Sequence, residues 1–261
     1  MNQQKKYPIR LCALSTGYEH RLLIDKADMV FEAGRFTALV GRNGAGKSTL
    51  LRTIAALRRP LSGHVEINGT DTATLSRRDI ALSIGFVSTE EVRIADLKVY
   101  DVVALGRAPH TNWTGRLTAT DHEQVMKALA LVGMGSFADK CIANLSDGER
   151  QRVMIARALA QDTPIILLAE PTAFLDLPNK YEIFLLLKRL AEQEDKCIVC
   201  STHDLDIALK TCHAIALIDG HDIKCRPTDE FIEEGGTERL FAGTKLTYDR
   251  STHAICLKIQ E

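Results

Sequence analysis

Phe36-Thr37-Ala38-Leu39-Val40-Gly41-Arg42-Asn43-Gly44-Ala45-Gly46-Lys47-Ser48-Thr49 runs from an apolar stretch through a glycine-rich turn, and Leu50, Leu51 and Ile54 follow it. This is the pattern G-x-x-x-x-G-K-S placed between a strand and a helix-forming segment. The backbone amides of such a loop wrap phosphate oxygens, the lysine adds a positive point charge, and the serine hydroxyl is a donor atom for Mg²⁺. Residues Gly41, Arg42, Asn43, Gly44, Ala45, Gly46, Lys47, Ser48 and Thr49 are therefore the expected nucleotide contacts, with Ser48 also the expected metal ligand. The alternative is a glycine turn without a ligand, and the flanking strand and helix argue against it.

Working outward, 261 residues of which 45% are apolar suffice for one large domain, or one domain carrying an inserted subdomain. The formal net charge of -1 offers no broad basic field, so no nucleic-acid partner is expected. The apolar runs fall short of the ~20 residues that a membrane-spanning helix needs. The start, MNQQKKYPIR, carries positive charge with no apolar stretch behind it, so no secretory signal is expected. Any tie to a membrane then goes through a partner or the surface. Seven cysteines, an odd number in mostly apolar surroundings, fit free thiols in a reducing compartment. Cys197 and Cys200 form a C-x-x-C. Without a second pair at zinc spacing, they read as two small side chains in a strand rather than a redox or metal pair.

Residues 8–40 alternate in short runs and predict two or three strands before the phosphate loop, and residues 47–57 predict the first helix. His64 to Asn68 and Ile84 to Val87 read as strands. Tyr100 to Gly106, Asp121 to Val132 and Asp147 to Ala160 carry apolar residues at helical spacing. Ile165 to Leu168 and Cys197 to Cys200 look like buried parallel strands, covered by helices at Tyr181 to Leu190 and Leu205 to Cys212. A strand at Ala214 to Ile218 follows, then a short helix around Leu240 and strands near Tyr248 and Ile255. The expected architecture is α/β, a sheet core with a helical insertion between two of its strands.

Two further stretches carry a resemblance. Leu145-Ser146-Asp147-Gly148-Glu149-Arg150-Gln151-Arg152 is close to the LSGGQ motif, and Ile165 to Asp176, IILLAEPTAFLD, to a strand ending in an acidic pair before proline. With the phosphate loop, these resemble the ATP-binding cassette of ABC transporters over nearly the whole chain. The resemblance implies a P-loop NTPase cassette with a mixed sheet core at residues 1–89 and 161–261, and a helical subdomain over approximately 90–160. It implies ATP and Mg²⁺ as ligands, and a second copy of the chain docked head to tail. In that arrangement Ser146 and Gly148 of one copy cap the γ-phosphate held by the other, as a helix start donating amides suits. A plain Ser146 helix cap with Glu149 as its capping-box partner is compatible with the same role.

The resemblance also implies Glu170 as the group that polarises the attacking water, His203 as a γ-phosphate contact, Asp176 as a coupling residue between copies, and Tyr18 as the aromatic that stacks on adenine. Lys47 joins Glu170 and His203 in catalysis. Two positions depart from the family. Ala169 stands where the family has the aspartate that supports Mg²⁺, which predicts impaired turnover. Thr89 followed by Glu90 stands where the family has glutamine, leaving Thr89 as a short catalytic substitute and Glu90 as a candidate metal ligand.

Val99 to Leu129, containing GRAPHTNWTGRL, resembles importer cassettes for iron-siderophore, haem and vitamin B12 uptake, with Trp113 in a tight loop. That implies integral membrane permease subunits as direct partners, a periplasmic or lipoprotein substrate-binding protein as an indirect one, and a peripheral place on the cytoplasmic face of the cell membrane. Two other classes remain open on sequence: a soluble cassette ATPase such as an iron-sulfur assembly factor, and a nucleotide-binding regulatory module without turnover.

Overall fold

The computed structural model describes residues 8–88, 96–112, 115–173 and 175–257. The chain opens with the hairpin β1 (Ile9–Tyr18) and β2 (Arg21–Phe31), then β3 (Phe36–Gly41), which runs through the glycine loop into α1 (Lys47–Ile54). β4 (Ser62–Ile67), the short β5 (Thr70–Asp71), α2 (Arg77–Ser83) and β6 (Ile84–Val87) follow. Three consecutive helices come next, α3 (Val99–Ala104), α4 (Ala119–Leu131) and α5 (Asp147–Ala160). The chain then alternates through β7 (Ile165–Ala169), α6 (Leu177–Glu194), β8 (Cys197–Ser201), α7 (Leu205–Thr211), β9 (Ala214–Asp219) and β10 (Asp222–Pro227). It closes with α8 (Thr228–Glu233), α9 (Gly236–Leu240) and the hairpin β11 (Leu246–Asp249) and β12 (Ala254–Leu257).

The central sheet has the order β10-β9-β3-β8-β7-β6, parallel throughout except for the antiparallel edge pair β9–β10. A second sheet, β2-β1-β4-β5, is antiparallel. Strands β3, β7 and β8 are buried along their whole length, which is why their sequences are unbroken apolar runs. Their side chains alternate between two cores. Val40, Leu168 and Cys200 pack with α3 to α7 on one face, while Leu39, Leu167, Ala169 and Cys197 pack with α1 and the second sheet on the other. Cys197 and Cys200 thus point to opposite faces of β8 and form no pair. Burial raises both thiols well above their ordinary range, as expected of structural rather than reactive cysteines.

The helical insertion lies between β6 and β7, as the sequence predicts. The first helix ends at Ile54 rather than at residue 57. Ala56 adopts the left-handed φ of 54°, and the Leu57 amide returns to the Arg52 carbonyl. This is the helix stop usually marked by glycine, here made by alanine, so the break at Pro60, Ser62 and Gly63 places the end a few residues too late. Helix α2, strand β10 and helix α8 are additional to the expected elements. α2 has a Ser76/Asp79 capping box but no buried residue, and so lacks the apolar period that announces a helix.

Candidate functional site

The phosphate loop leaves β3 at Gly41, where an added Cβ would stand 2.9 Å from the Ile218 carbonyl oxygen. Gly46 caps α1 at a φ of 107°, and a Cβ there would meet the Leu23 side chain at 3.0 Å. Both positions therefore demand glycine. No side chain caps the start of α1, so its first amides stay directed at the loop, the arrangement that binds phosphate. Lys47 is only 5% exposed, and its Nζ donates to the Gly41 oxygen at 3.0 Å and to the Arg42 oxygen at 3.4 Å. Burial lowers the Lys47 pKa, and nearby Glu170 opposes that shift. The Arg42 guanidinium donates to the Ala242 oxygen at 2.6 Å. Ser48 is exposed and Thr49 buried. Exposed Asn43 and Gly44 form the loop's outer turn, and the Ala45 amide closes it on the Arg42 oxygen at 3.1 Å.

The ends of β7 and β8 meet beside this loop. Glu170 has a left-handed φ of 47°, fixed by its amide donating to Ser201. Glu170 Oε1 lies 3.1 Å from His203 Nε2. The Thr202 amide donates to the Leu39 oxygen, which ties the His203 turn to the strand that feeds the loop. Asp204, which sequence reasoning passed over, accepts from Thr172 at 2.8 Å and from Lys180 at 2.6 Å. It thereby fastens the turn after Glu170 to the turn that carries His203. Its signal was its place directly after His203 in T-H-D. Ala169, just before Glu170, is buried toward α1, so the position from which the family's carboxylate would face the loop carries only a methyl group.

Ser146 caps α5. Its amide and hydroxyl donate to Glu149 at 2.8 and 2.9 Å, and the Glu149 amide returns to the Ser146 hydroxyl at 3.3 Å. The Ser146 amide, followed by its hydroxyl, holds the Glu149 carboxyl below its ordinary range. Ser146 is exposed, whereas Gly148 is buried against Asn179 of α6, which would lie 3.1 Å from an added Cβ. Asp176 caps α6 through the Asn179 amide at 3.2 Å. Ser146 and Asp176 therefore sit on adjoining helix starts. Among the described residues, no hydrogen bond joins the Ser146 turn to Lys47, Glu170 or His203. The chain brings together the loop, Glu170 and His203, and presents Ser146 separately.

Tyr18 ends β1, 53% exposed, with the Arg58 guanidinium 4.3 Å from its ring centroid. Arg58 also donates to the Gly17 oxygen at 2.7 Å, so one ring face is covered. Thr89, Glu90 and Trp113 lie outside the described residues.

The helical insertion explains part of its own motif. Arg107 is buried and donates to Asp121 Oδ1 and to the Ala160 oxygen, both at 2.8 Å. Thr118 hydrogen bonds, joined by Arg107, bring the Asp121 pKa down to about 2. Gly106 lies against the Arg157 carbonyl, where a Cβ would stand 2.1 Å from oxygen. The Gly-Arg pair thus joins α3, α4 and α5. Sequence reading noticed the pair without seeing this role, because the partners lie far apart in the chain. No described helix is long and apolar enough to cross a membrane.

A glycine loop between a parallel strand and an uncapped helix start, beside a carboxylate at the neighbouring strand ends, defines a P-loop nucleotide-binding ATPase. The family model for ABC transporters matches residues 24–173. The iron(3+)-hydroxamate import ATP-binding protein FhuC of Bacillus subtilis is 39% identical over 212 residues, covering 81% of this chain and 79% of that protein. An inward-facing ABC transporter described as of metal-chelate type superposes with a TM-score of 0.79 at 27% identity, covering 96% and 95% of the two chains. A bacterial ABC transporter cassette solved as a dimer superposes with a TM-score of 0.72 at 28% identity, covering 84% and 98%. The chain belongs to the ABC transporter ATP-binding family and is an ABC-type ATPase.

Proposed function

We propose that two copies of this chain close head to tail on two ATP molecules and drive a membrane permease of an importer for iron-siderophore, haem or cobalamin. The observation that carries this reading is the Glu170–His203 contact of 3.1 Å at the strand ends beside the loop of Lys47. In each site the loop amides from Gly41 to Thr49 and Lys47 hold the phosphates, and Tyr18 stacks on adenine with the ring face that Arg58 leaves open. Glu170 accepts the proton of the attacking water as it approaches the γ-phosphorus, and the His203 N–H that meets Glu170 without nucleotide turns to a γ-phosphate oxygen when nucleotide is bound. Ser146 and the Gly148 amide of the second copy complete the cage. Asp176, adjoining the Ser146 turn, reports closure to the other copy.

The residues present fit Mg²⁺ in part: Ser48 offers an exposed hydroxyl at the loop, and Ala169 offers nothing. When bound, Mg²⁺ neutralises charge on the β- and γ-phosphates. With alanine at 169 its outer contacts fall to water, and this supports a turnover below that of a cassette with aspartate there. Thr89 and Glu90 are assigned to the same side of the site on sequence alone. The subdomain boundaries follow the same reading, with residues 90–160 as the part that docks on the permease. A substrate-binding protein outside the membrane delivers the cargo and never touches this chain.

Sedimentation with and without ATP tests the scheme. A Glu170→Gln chain is expected to become a dimer with ATP, and adding Ser146→Arg to it should leave a monomer that still binds ATP. A wild-type chain that stays monomeric with ATP at full activity would rule the scheme out.

A further inference from the structure

Strands β1 and β4 run antiparallel in the second sheet, with Cys12 directly opposite His64, and Glu66 two residues along β4 on the same face. The Cys12 thiol, a His64 ring nitrogen and a Glu66 carboxylate oxygen lie within 4.8 Å of one another. His64 Nε2 stands 3.4 Å from Glu66 Oε1. Among the described residues this is the one group of three such side chains so close together. All three are partly buried, neither lost in the core nor free on the surface. Leu11, Val65 and Ile67, on the other face of the same strands, are packed in the core. The register that places the three donors together is therefore fixed, since a slip of one residue would expose those apolar side chains.

We propose that Cys12, His64 and Glu66 bind a divalent transition-metal ion, of which Zn²⁺ is the best fit. A sulfur, an imidazole nitrogen and one carboxylate oxygen are the donor set of borderline cations, whereas Mg²⁺ and Ca²⁺ select oxygen alone. Three protein ligands leave a fourth tetrahedral position to water, so the site is open and exchangeable rather than a closed structural one. Two ligands at ~2.0–2.3 Å from one tetrahedral ion stand about 3.3–3.8 Å apart, and the His64 and Glu66 donors already meet at 3.4 Å. On binding, the thiol proton leaves to solvent as the sulfur–metal bond forms, with no change of oxidation state. The ion clips β1 to β4 at a place that the nucleotide reading does not use.

The test uses the full chain without nucleotide, titrated anaerobically with Co²⁺ and then Zn²⁺. The expected result is a sulfur-to-cobalt charge-transfer band that saturates at one ion per chain, survives excess Mg²⁺ and is displaced by Zn²⁺. Cys12→Ser should abolish the band, and Glu66→Gln should weaken Zn²⁺ binding about tenfold or more. Metal-free melting of both variants reports that they fold. Retention of the band in folded Cys12→Ser, or unchanged Zn²⁺ affinity in folded Glu66→Gln, overturns the proposal. So does absence of the band from the wild-type chain.

Discussion

The ends of β7 and β8 and the helical insertion spend their polar groups in opposite ways. Beside the phosphate loop, the Glu170 carboxylate and the His203 ring meet at a partly exposed edge, and among the described residues Lys47 donates to the Gly41 and Arg42 oxygens. Those groups keep capacity for a ligand. In the insertion, Arg107 is tied to Asp121 and Ala160, and Asp121 to Thr118. Even the Ser146 turn is locked by Glu149. One region keeps its polar groups available, as the proposed reaction requires. The other is arranged to hold its shape and present a helix start outward. On the proposed scheme, a site completed by two copies needs both, because a presenting surface must not yield when it meets charge.

Substitutions separate the two. Glu170→Gln should lower ATP turnover by about 10²–10⁴-fold, as expected for loss of a positioned base, with thermal stability unchanged. A fall of less than about tenfold in steady-state hydrolysis would take Glu170 out of the reaction. Arg107→Ala should do the reverse. Stranding Asp121 in a buried position costs about 3–5 kcal/mol, read by denaturant unfolding, while ATP affinity stays within about threefold. An equal loss of ATP affinity would show that the insertion is not a separate, shape-keeping region. Ala169→Asp is the mildest probe. It restores a carboxylate toward α1 and should raise turnover about 10–100-fold, whereas matched rates in the two forms would remove the claim of impairment.

The reactive region was far more legible in the sequence than the rigid one. A phosphate loop is a local object: its glycines, Lys47 and Ser48 are contiguous, so their spacing alone conveys the geometry. Glu170 and His203 were singled out only through the family resemblance, and what the structure adds is their contact at the ends of two buried strands. The anchors were not legible. Arg107 and Asp121 are separated by a loop, and a buried ion pair leaves no periodic trace. The need for glycine at Gly106 comes from the Arg157 carbonyl one helix away, which no local spacing shows. Asp204 carries no signal of its own in the sequence, because its partners Thr172 and Lys180 belong to another strand–helix connection. Helix α2 and the early stop of α1 escaped for simpler reasons, the lack of a buried face and an alanine in the place of glycine.

The central claim, that reacting groups and capping turn come from different copies, is tested most directly by mixing two disabled chains. Glu170→Gln keeps its Ser146 turn, and Ser146→Arg keeps its Glu170. In a head-to-tail pair of one of each, one site combines both lesions and the other is intact. The account predicts that each chain alone hydrolyses ATP at background rate and that the mixture recovers activity. A mixture no more active than the sum of its parts would place the whole site within a single chain and contradict the account.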